Sequence, residues 1–403
     1  MWASNAPMQK CRRGAFQLMA SKMIVQSEPK FARMRRCIFA SMLMFALFSG
    51  IAHAQTARRK VIVDQDTFGP GGSNMQSVLM LLQSPDVDLL GITVESGDGW
   101  QNEDVAHTLR MLELIGRTDV PVFRGSVYPL VNSMAFMKRW EGMYGKLGYK
   151  GAWMEEWPEY NSVNRTPYHA PDVIPAMPEG SPATKASDEI AANFLARKVR
   201  EYPGQITIIA LGPFTNLALA ERLDEHFAAN AKELVCMCGS FNPRAAQADE
   251  FAMQFMYTPR REFNDLWDPE AAQIVHRAAW KKIVMVPTDA TTQTKLTPEI
   301  LKRSTASNSP VAQYLAKFPS LGFPMWDELA VAVWLDPSLI EHSEVLATDV
   351  DINSGGPGYG DTLSWRPGAG PGLGERDATV VFDVHVHAFE ELYIKLMNAP
   401  VRK

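Results

Sequence analysis

A chain of 403 residues that is 46% hydrophobic and 21% charged can bury a large core, which excludes wholesale disorder. Its net charge of −5 is uneven, because residues 1–54 contain eight Lys and Arg against one Glu, a net of +7 that leaves −12 for the rest. An acidic body argues against a nucleic-acid-binding protein, whose affinity comes largely from Lys and Arg that neutralise phosphates.

The first 54 residues have the parts of a secretory signal peptide. Three arginines between residues 33 and 36 precede an apolar run over residues 38–51, and Ala-His-Ala at 52–54 forms a small-x-small cleavage site. The apolar run is shorter than the ~20 residues that a transmembrane helix needs. We therefore predict a signal peptide and unstructured leader over 1–54, and a mature protein that is exported to the periplasm or secreted. An uncleaved membrane anchor is the alternative.

Beyond the leader, short apolar strands alternate with helical segments. The predicted strands are 60–63, 88–94, 120–123, 206–211, 233–238, 283–286 and 379–385. The predicted helices are 75–83, 105–114, 188–200, 217–222, 269–278, 329–334 and a last one near the end of the chain. Continuous apolar strands separated by helices are typical of a parallel sheet that is covered on both faces. We predict a single domain over 55–403, a three-layer α/β sandwich with a mostly parallel central sheet.

Two regions interrupt this alternation. Residues 133–187 are rich in Trp, Tyr, Pro and Gly without a sustained period, and residues 353–376 are rich in Gly and Pro. Long irregular insertions in a compact domain are usually functional lids or disordered loops. The aromatic content of the first insertion favours a lid over a pocket.

Two cysteines follow the leader, at positions 236 and 238. A single residue separates Cys236 from Cys238 on a predicted buried strand, which is poor geometry for a disulfide. We expect both side chains to pack in the core.

Polar side chains collect where the predicted strands end. Asp64 and Asp66 follow the first strand, and Glu95 and Asp98 follow the second. Turn formation or helix capping explains each such residue taken alone. However, ligands of open parallel sheets bind beyond the carboxyl ends of the strands, and paired carboxylates suit a hard divalent cation. Together these residues predict a binding site at this edge of the sheet.

Between residues 61 and 339 the chain contains, in order, VIVDQD, SPDVDLLGITVESGD, RMLELIGRTDVPVFRG, IIALGPFTNLALA, REFNDLWDPEAAQIV and PMWDELAVAVWLDPSL. In these segments it resembles the inosine–uridine nucleoside hydrolase family, and LGPFTNLALA and EFN-x-x-x-DPEAA are the most specific of them. The resemblance implies a calcium-dependent hydrolase that cleaves the N-glycosidic bond of ribonucleosides to ribose and free base. It also implies a parallel-sheet α/β fold and a homodimer or homotetramer.

The resemblance implies a calcium site formed by Asp66, Asn74, the main-chain carbonyl of Leu211 and Asp327, with Asp66 also activating the water. Asn74 stands where the family has an aspartate, so we expect weaker calcium binding. The resemblance also implies that Asp98 lies in the substrate pocket, where the family has an asparagine. Its carboxylate would restore the missing charge if one of its oxygens reaches the ion.

The resemblance also implies that Glu262 and Asn264 hold the ribose 5′-hydroxyl. Ser73 replaces an aspartate that binds the ribose, and Trp326 replaces a histidine that is linked to activation of the leaving base. A lost general acid costs ~10²–10⁴-fold in rate, whereas an indole can still stack on a base. An asparagine that assists Glu262 and Asn264 in the family falls near Met256.

Two other functions stay open. The altered residues are compatible with an exported protein that binds nucleosides or sugars without turnover, since fold does not dictate activity. A hydrolase of another N- or O-glycoside is the second alternative. Its substrate could carry a phosphate near the Gly-Pro-Gly-Gly run at 69–72, although this run lacks the Lys-Ser/Thr ending of a P-loop. In each case we expect a small-molecule ligand, no nucleic acid, and no membrane contact after signal cleavage.

Overall fold

A nine-stranded sheet forms the centre of the described part of the chain, which in this computed structural model covers residues 58–157, 167–242 and 260–402. The strands are β1 (Arg59–Gln65), β2 (Val87–Val94), β3 (Val122–Arg124), β4 (Ile206–Ala210), β5 (Glu233–Cys236), β6 (Ile283–Met285), β7 (Ile340–Val350), β8 (Thr362–Trp365) and β9 (Arg376–Val384). Their order across the sheet is β3-β2-β1-β4-β5-β6-β9-β7-β8. Neighbouring strands from β3 to β9 are parallel, and β7 and β8 add an antiparallel edge.

The described helices lie mainly between successive strands. They are α1 (Ser73–Gln83), α2 (Gln101–Ile115), α3 (Met134–Tyr144), α4 (Ala191–Glu201), α5 (Thr215–Leu223), α6 (Phe227–Asn230), α7 (Phe263–Trp267), α8 (Pro269–Arg277), α9 (Thr288–Thr291), α10 (Pro298–Ser304), α11 (Pro310–Lys317), α12 (Trp326–Leu335) and α13 (Val386–Met397). Two short 3₁₀ turns, Gly151–Trp153 and Pro337–Leu339, complete the described elements.

Alternate side chains of β1 belong to two separate hydrophobic clusters. Val61 and Val63 pack with apolar residues of α1, α2 and α12, whereas Ile62 packs with residues of α4, α5 and α8. Successive side chains of a strand point to opposite faces of the sheet, so the two clusters lie on opposite faces. Helices therefore cover both faces, and the predicted three-layer α/β sandwich with a mostly parallel sheet is confirmed.

The antiparallel edge of the sheet was not predicted from the sequence. Most of the first half of β7 is exposed and only its last four residues are buried, so the strand lacks the continuous apolar run that marks the parallel strands. The insertions also hold regular structure: β8 lies within residues 353–376, and α3 lies within residues 133–187. These elements within the two insertions were not predicted from the sequence.

The structure contains a disulfide between Cys236 and Cys238, so the prediction that these residues pack without a bridge is wrong. Strand β5 ends at Cys236, and the two Cα atoms are 5.5 Å apart, within the range that a disulfide spans. Both residues are buried in the core, as expected.

Residues Ala57–Lys403 form one compact unit. The predicted leader, 1–54, lies outside the described residues, so its removal and the export of the protein stay predictions. Among the described helices, none combines the length and the apolar character that crossing a membrane requires.

Candidate active site

The carboxyl ends of β1, β2 and β4 meet at one edge of the sheet. Gln65 pairs with Val94, and Asp64 pairs with Ala210. The amide of Leu211 then donates to the carbonyl of Asp64 over 2.8 Å. The loops that leave these strands consequently start side by side, and their polar side chains share one space.

Asp66 is buried between two of these loops. Its Oδ1 accepts a hydrogen bond from the Asn74 amide at 3.0 Å, and its Oδ2 accepts one from the backbone N–H of Asp98 at 2.8 Å. A Cβ added at Gly97 would lie 2.1 Å from Asp66 Oδ2, and one at Gly212 would lie 2.9 Å from Oδ1. The Asp66 carboxylate can occupy this position because residues 97 and 212 are glycines, which have no Cβ.

The main-chain carbonyl of Leu211 lies beside two side-chain amides. The Nδ2 atom of Asn74 is 3.4 Å from this oxygen, and the Nδ2 atom of Asn264 is 3.5 Å from it. Asn264 also donates to the carbonyl of Met237 over 2.9 Å. Asn74 therefore connects Leu211 to Asp66, and a half-turn of its amide would present oxygen at the same position.

Ser73 links the start of α1 to the start of α12. Its hydroxyl donates to Glu328 Oε2 at 2.5 Å and accepts from the backbone N–H of Asp327 at 3.0 Å. Asp327 and Glu328 are both buried. Glu328 was not predicted from the sequence, and only its position next to Asp327 could have drawn attention to it.

Three carboxyl groups of the site are energetically costly to ionise. Burial raises the pKa of Asp66 well above its usual value, and repulsion from Asp98 raises it further. Burial and repulsion from Glu328 and Asp98 likewise raise the pKa of Asp327, while burial raises that of Asp98 to about 6. No described Lys or Arg forms an ion pair with these three groups. This acidic cluster would be stabilised by a cation.

A cavity of about 270 Å³ brings the predicted site residues together. Its lining includes Asp66, Ser73, Asn74, Asp98, Leu211, Glu262, Asn264, Trp326 and Asp327. Glu262 caps α7 by accepting the N–H of Asp265 at 3.1 Å, which fixes its side chain at the wall. Residue Met256, the other predicted participant, lies outside the described residues.

The carboxylates of Asp64 and Asp66 bind different partners. Oδ1 of Asp64 accepts hydrogen bonds from Thr93 and from Asn216 Nδ2, the latter at 2.9 Å. Burial raises the pKa of Asp64 to about 7, and Asp64 is absent from the lining of the cavity. The two aspartates therefore do not form a paired ligand set, and Asp64 instead ties β1 to the start of α5.

Aromatic side chains form much of the cavity wall. Tyr149 and Trp157 of the first insertion line it, together with Phe263 and Trp326. The rings of Tyr149 and Phe263 are 4.9 Å apart, and the Tyr149 hydroxyl donates to Asp98 Oδ1 over 2.7 Å. Aromatic residues from this insertion were predicted at the pocket, but Tyr149 was not singled out.

The segment 167–187 lies along helix α2, and its first residues, 167–169, line the cavity. The Trp100 indole N–H donates to the carbonyl of His169 at 2.8 Å, and His169 Nε2 is 3.0 Å from Glu103. Further along, buried Glu179 hydrogen-bonds the buried ring of His107. Two His–Glu pairs thus hold this segment, which we call the strap, against α2. The strap contributes the histidine to one pair and the glutamate to the other.

Comparisons with known proteins agree with this arrangement. The sequence profile of the family described as inosine-uridine preferring nucleoside hydrolase matches residues 61–391. A probable uridine nucleosidase 2 of Arabidopsis thaliana is 31% identical over 260 residues, 64% of this chain and 68% of that protein. The pyrimidine-specific ribonucleoside hydrolase RihB of Escherichia coli O1:K1 / APEC is 25% identical over 318 residues, 76% of this chain and 87% of that protein.

The fold is also that of solved nucleoside hydrolases. The structure of a purine-preferring ribonucleoside hydrolase from Gardnerella vaginalis superposes with a TM-score of 0.62 and 23% identity, covering 84% of this chain and 98% of that one. The chain belongs to the inosine-uridine preferring nucleoside hydrolase family. Membership confirms the resemblance drawn from the sequence motifs and supports a hydrolase with a small nucleoside substrate. The roles assigned to individual residues stay predictions.

Proposed function

We propose that this protein hydrolyses the N-glycosidic bond of ribonucleosides, releasing ribose and a free nucleobase. The observation that carries the proposal is the buried Asp66 carboxylate, which faces a cavity shared with Asp327, Glu262 and Asn264. In this family such residues are implied to activate water, hold a cation and anchor the ribose.

Calcium is the cofactor that we propose. Asp66, Asn74, the Leu211 carbonyl and Asp327 offer the oxygen atoms that Ca²⁺ prefers. Among the described residues no three His, Cys, Asp or Glu converge as a metal site, so the proposed set depends on amide and carbonyl oxygens beside two carboxylates. The acidic cluster without a described ion pair favours such a cation. When bound, Ca²⁺ supplies positive charge that orients a water molecule and lowers its pKa.

Asp66 is the general base in this proposal. Its carboxylate takes a proton from water while the water oxygen bonds to the anomeric carbon. The C–N bond breaks, and its electron pair stays on the departing nucleobase. Positive charge develops on the ribose, as in other glycoside hydrolyses. The hydrogen bonds from Asn74 and Asp98 hold the Asp66 carboxylate in one orientation, which is what proton transfer requires.

Other residues would hold the two ends of the nucleoside. Glu262 and Asn264 anchor the sugar, and the capping bond of Glu262 fixes it for that role. Trp326 provides an aromatic face for the nucleobase. Its indole cannot donate a proton to the leaving nucleobase at neutral pH. The released base must therefore take its proton from solvent or from another group.

An assay panel tests this proposal directly. Purified mature protein is incubated with inosine, uridine, adenosine and guanosine in millimolar calcium, with and without a chelator, and free base is measured. We expect base release from at least one nucleoside and its loss with chelator. Absence of base release from all four would overturn the proposal.

A nucleoside- or sugar-binding protein without turnover is the second candidate. Trp326 in place of an acid and Ser73 in place of a ribose-binding aspartate favour it. Calorimetry separates the two: tight nucleoside binding with no product over hours indicates a binding protein, and product indicates an enzyme.

We also propose that the mature protein is exported and forms a homodimer or homotetramer. The signal-peptide features of residues 1–54 support export, and the family resemblance supports assembly. Fractionation of the producing cells and light scattering of the purified protein test the two points.

A further inference from the structure

The wall of the cavity contains a histidine that has no role in the reaction proposed above. Among the described residues that line the cavity, His169 at the start of the strap is the only histidine. Its side chain is 19% exposed, so water can reach the ring. Imidazole exchanges protons near neutral pH, which makes histidine the commonest acid and base in enzyme catalysis.

Oxygen atoms face both ring nitrogens of His169. Glu103 Oε2 lies 3.0 Å from Nε2, and the carbonyl oxygen of Ala170 lies 3.1 Å from Nδ1. A carboxylate and a carbonyl only accept hydrogen bonds, so a ring that satisfies both carries a proton on each nitrogen. This geometry suits the imidazolium, the form that can give a proton away.

The start of helix α2 holds His169 in position. The Trp100 indole N–H donates to the main-chain carbonyl of His169 at 2.8 Å. Glu103 is buried, and its second carboxylate oxygen lies 3.8 Å from Nε2 of the buried His107. The Glu103 carboxylate therefore lies between two imidazole rings, where it can orient the ring of His169.

Glycosidic cleavage benefits from an acid at this wall. When the C–N bond breaks, its electron pair stays on the nucleobase, and a nucleobase that gains a proton at that moment leaves more easily. Trp326 cannot supply this proton. The requirement rests on the proposed function, since it exists only if the bond that breaks joins ribose to a nucleobase.

We propose that His169 is the general acid that protonates the departing nucleobase, and that Glu103 is its positioning residue. A proton moves from a ring nitrogen of His169 to the nucleobase as the C–N electron pair arrives there, so the nucleobase leaves neutral. His169 becomes a neutral imidazole and regains a proton from solvent. Asp66 releases to solvent the proton that it took from water, so the exchange balances.

A comparison of two leaving groups tests this role. Nucleosides need the proton, whereas para-nitrophenyl β-ribofuranoside releases a nitrophenolate that is stable without one. His169→Gln should lower kcat on the best nucleoside of the panel by ~10²–10⁴-fold and kcat on the nitrophenyl riboside by less than about threefold. Glu103→Gln should show the same selectivity with a smaller loss, because it keeps an acceptor for the ring. His226→Gln, at an exposed position, is the matched control and should behave as wild type on both substrates.

Two results would overturn the inference: wild-type kcat on nucleosides in His169→Gln, or an equal loss on both substrates. If His169→Gln fails to fold, Glu103→Gln decides by the same comparison, since a structural defect slows both substrates alike. Wild-type turnover of nucleosides that His169→Gln retains refutes the role of His169 and leaves the proposed function intact. A wild type that releases no nucleobase from any nucleoside refutes both.

Discussion

The floor and the wall of the cavity are built in different ways. The floor consists of strand ends and helix starts, where Asp66 is fixed by hydrogen bonds and by two glycines. The wall comes from the insertion, the strap and the aromatic side chains of Phe263 and Trp326. It is held by ring contacts and by side chains that reach across long sequence distances. Under the proposed function, the floor would act on the sugar and the wall would enclose the nucleobase.

The largest expected effect lies in the floor. Asp66→Asn should lower kcat by ~10²–10⁴-fold, since the general base is lost. Steady-state kinetics on the best nucleoside of the panel measures this. Asp172→Asn, at an exposed position of the strap, is the matched control and should behave as wild type. Retention of more than a tenth of kcat in Asp66→Asn would exclude Asp66 as the base.

The glycine neighbours of Asp66 give the next effect. Gly97→Ala places a Cβ 2.1 Å from Asp66 Oδ2, so the carboxylate must move. A displacement of about 1 Å can cost ~10²-fold in rate, and we expect a loss of that order in kcat. Gly142→Ala in α3 serves as control, because its Cβ would meet no atom within 4 Å. Equal kcat in both variants would show that the floor tolerates movement.

A smaller effect is expected in the wall. Trp326→Ala should raise KM by roughly tenfold, within the ~1–3 kcal/mol that a base gains by stacking on an aromatic side chain. Trp326→Phe keeps a ring and should lose less. Kinetics with a purine and a pyrimidine nucleoside measure both variants. A fall in kcat with constant KM would instead place Trp326 among the groups that act in the transition state.

The smallest expected effect is on the pH dependence of protein stability, through the pair that His107 forms with Glu179 of the strap. Burial lowers the pKa of His107, but hydrogen bonds and charge interactions with Glu103 and Glu179 outweigh it, so the pKa is raised in the folded protein. The stability that protonated His107 contributes is complete below its unfolded pKa of about 6.5. It is lost as the pH rises through its pKa in the folded protein. His169 also pairs with Glu103, and the charge of Glu179 also acts on Tyr314.

Denaturant unfolding at pH 6 and pH 8 measures this dependence. The wild type should lose more stability between these pH values than Glu179→Gln, in which His107 has lost one anionic partner. Glu299→Gln, on the first turn of α10, is the control and should show the wild-type dependence. An identical pH dependence in the wild type and Glu179→Gln would show that the pair does not link strap stability to pH.

The floor could be predicted from the sequence because its residues lie in short motifs beside strands that are apolar without interruption. Val61–Val63 and Ile206–Ala210 show this pattern, and the register of parallel strands then brings residues 66 and 211 together. The wall could not be predicted in the same way. Tyr149 reaches Asp98 across 51 residues of sequence, and no local pattern reports such a contact. Strand β7 was missed for a related reason, since half of it is exposed.

The link between Ser73 and Glu328 extends the site to the end of the chain. Burial raises the pKa of Glu328 to about 8. Tyr393 of α13 is buried near enough for the charge of Glu328 to act on it, and its hydroxyl hydrogen-bonds Gln76. We expect a truncation that removes α13 to disturb the bond between Ser73 and Glu328, because α1 then loses the hydrogen bond between Tyr393 and Gln76. Helix α13 lines no part of the cavity, yet it contacts α1 and α12, the two helices that carry Ser73 and Glu328.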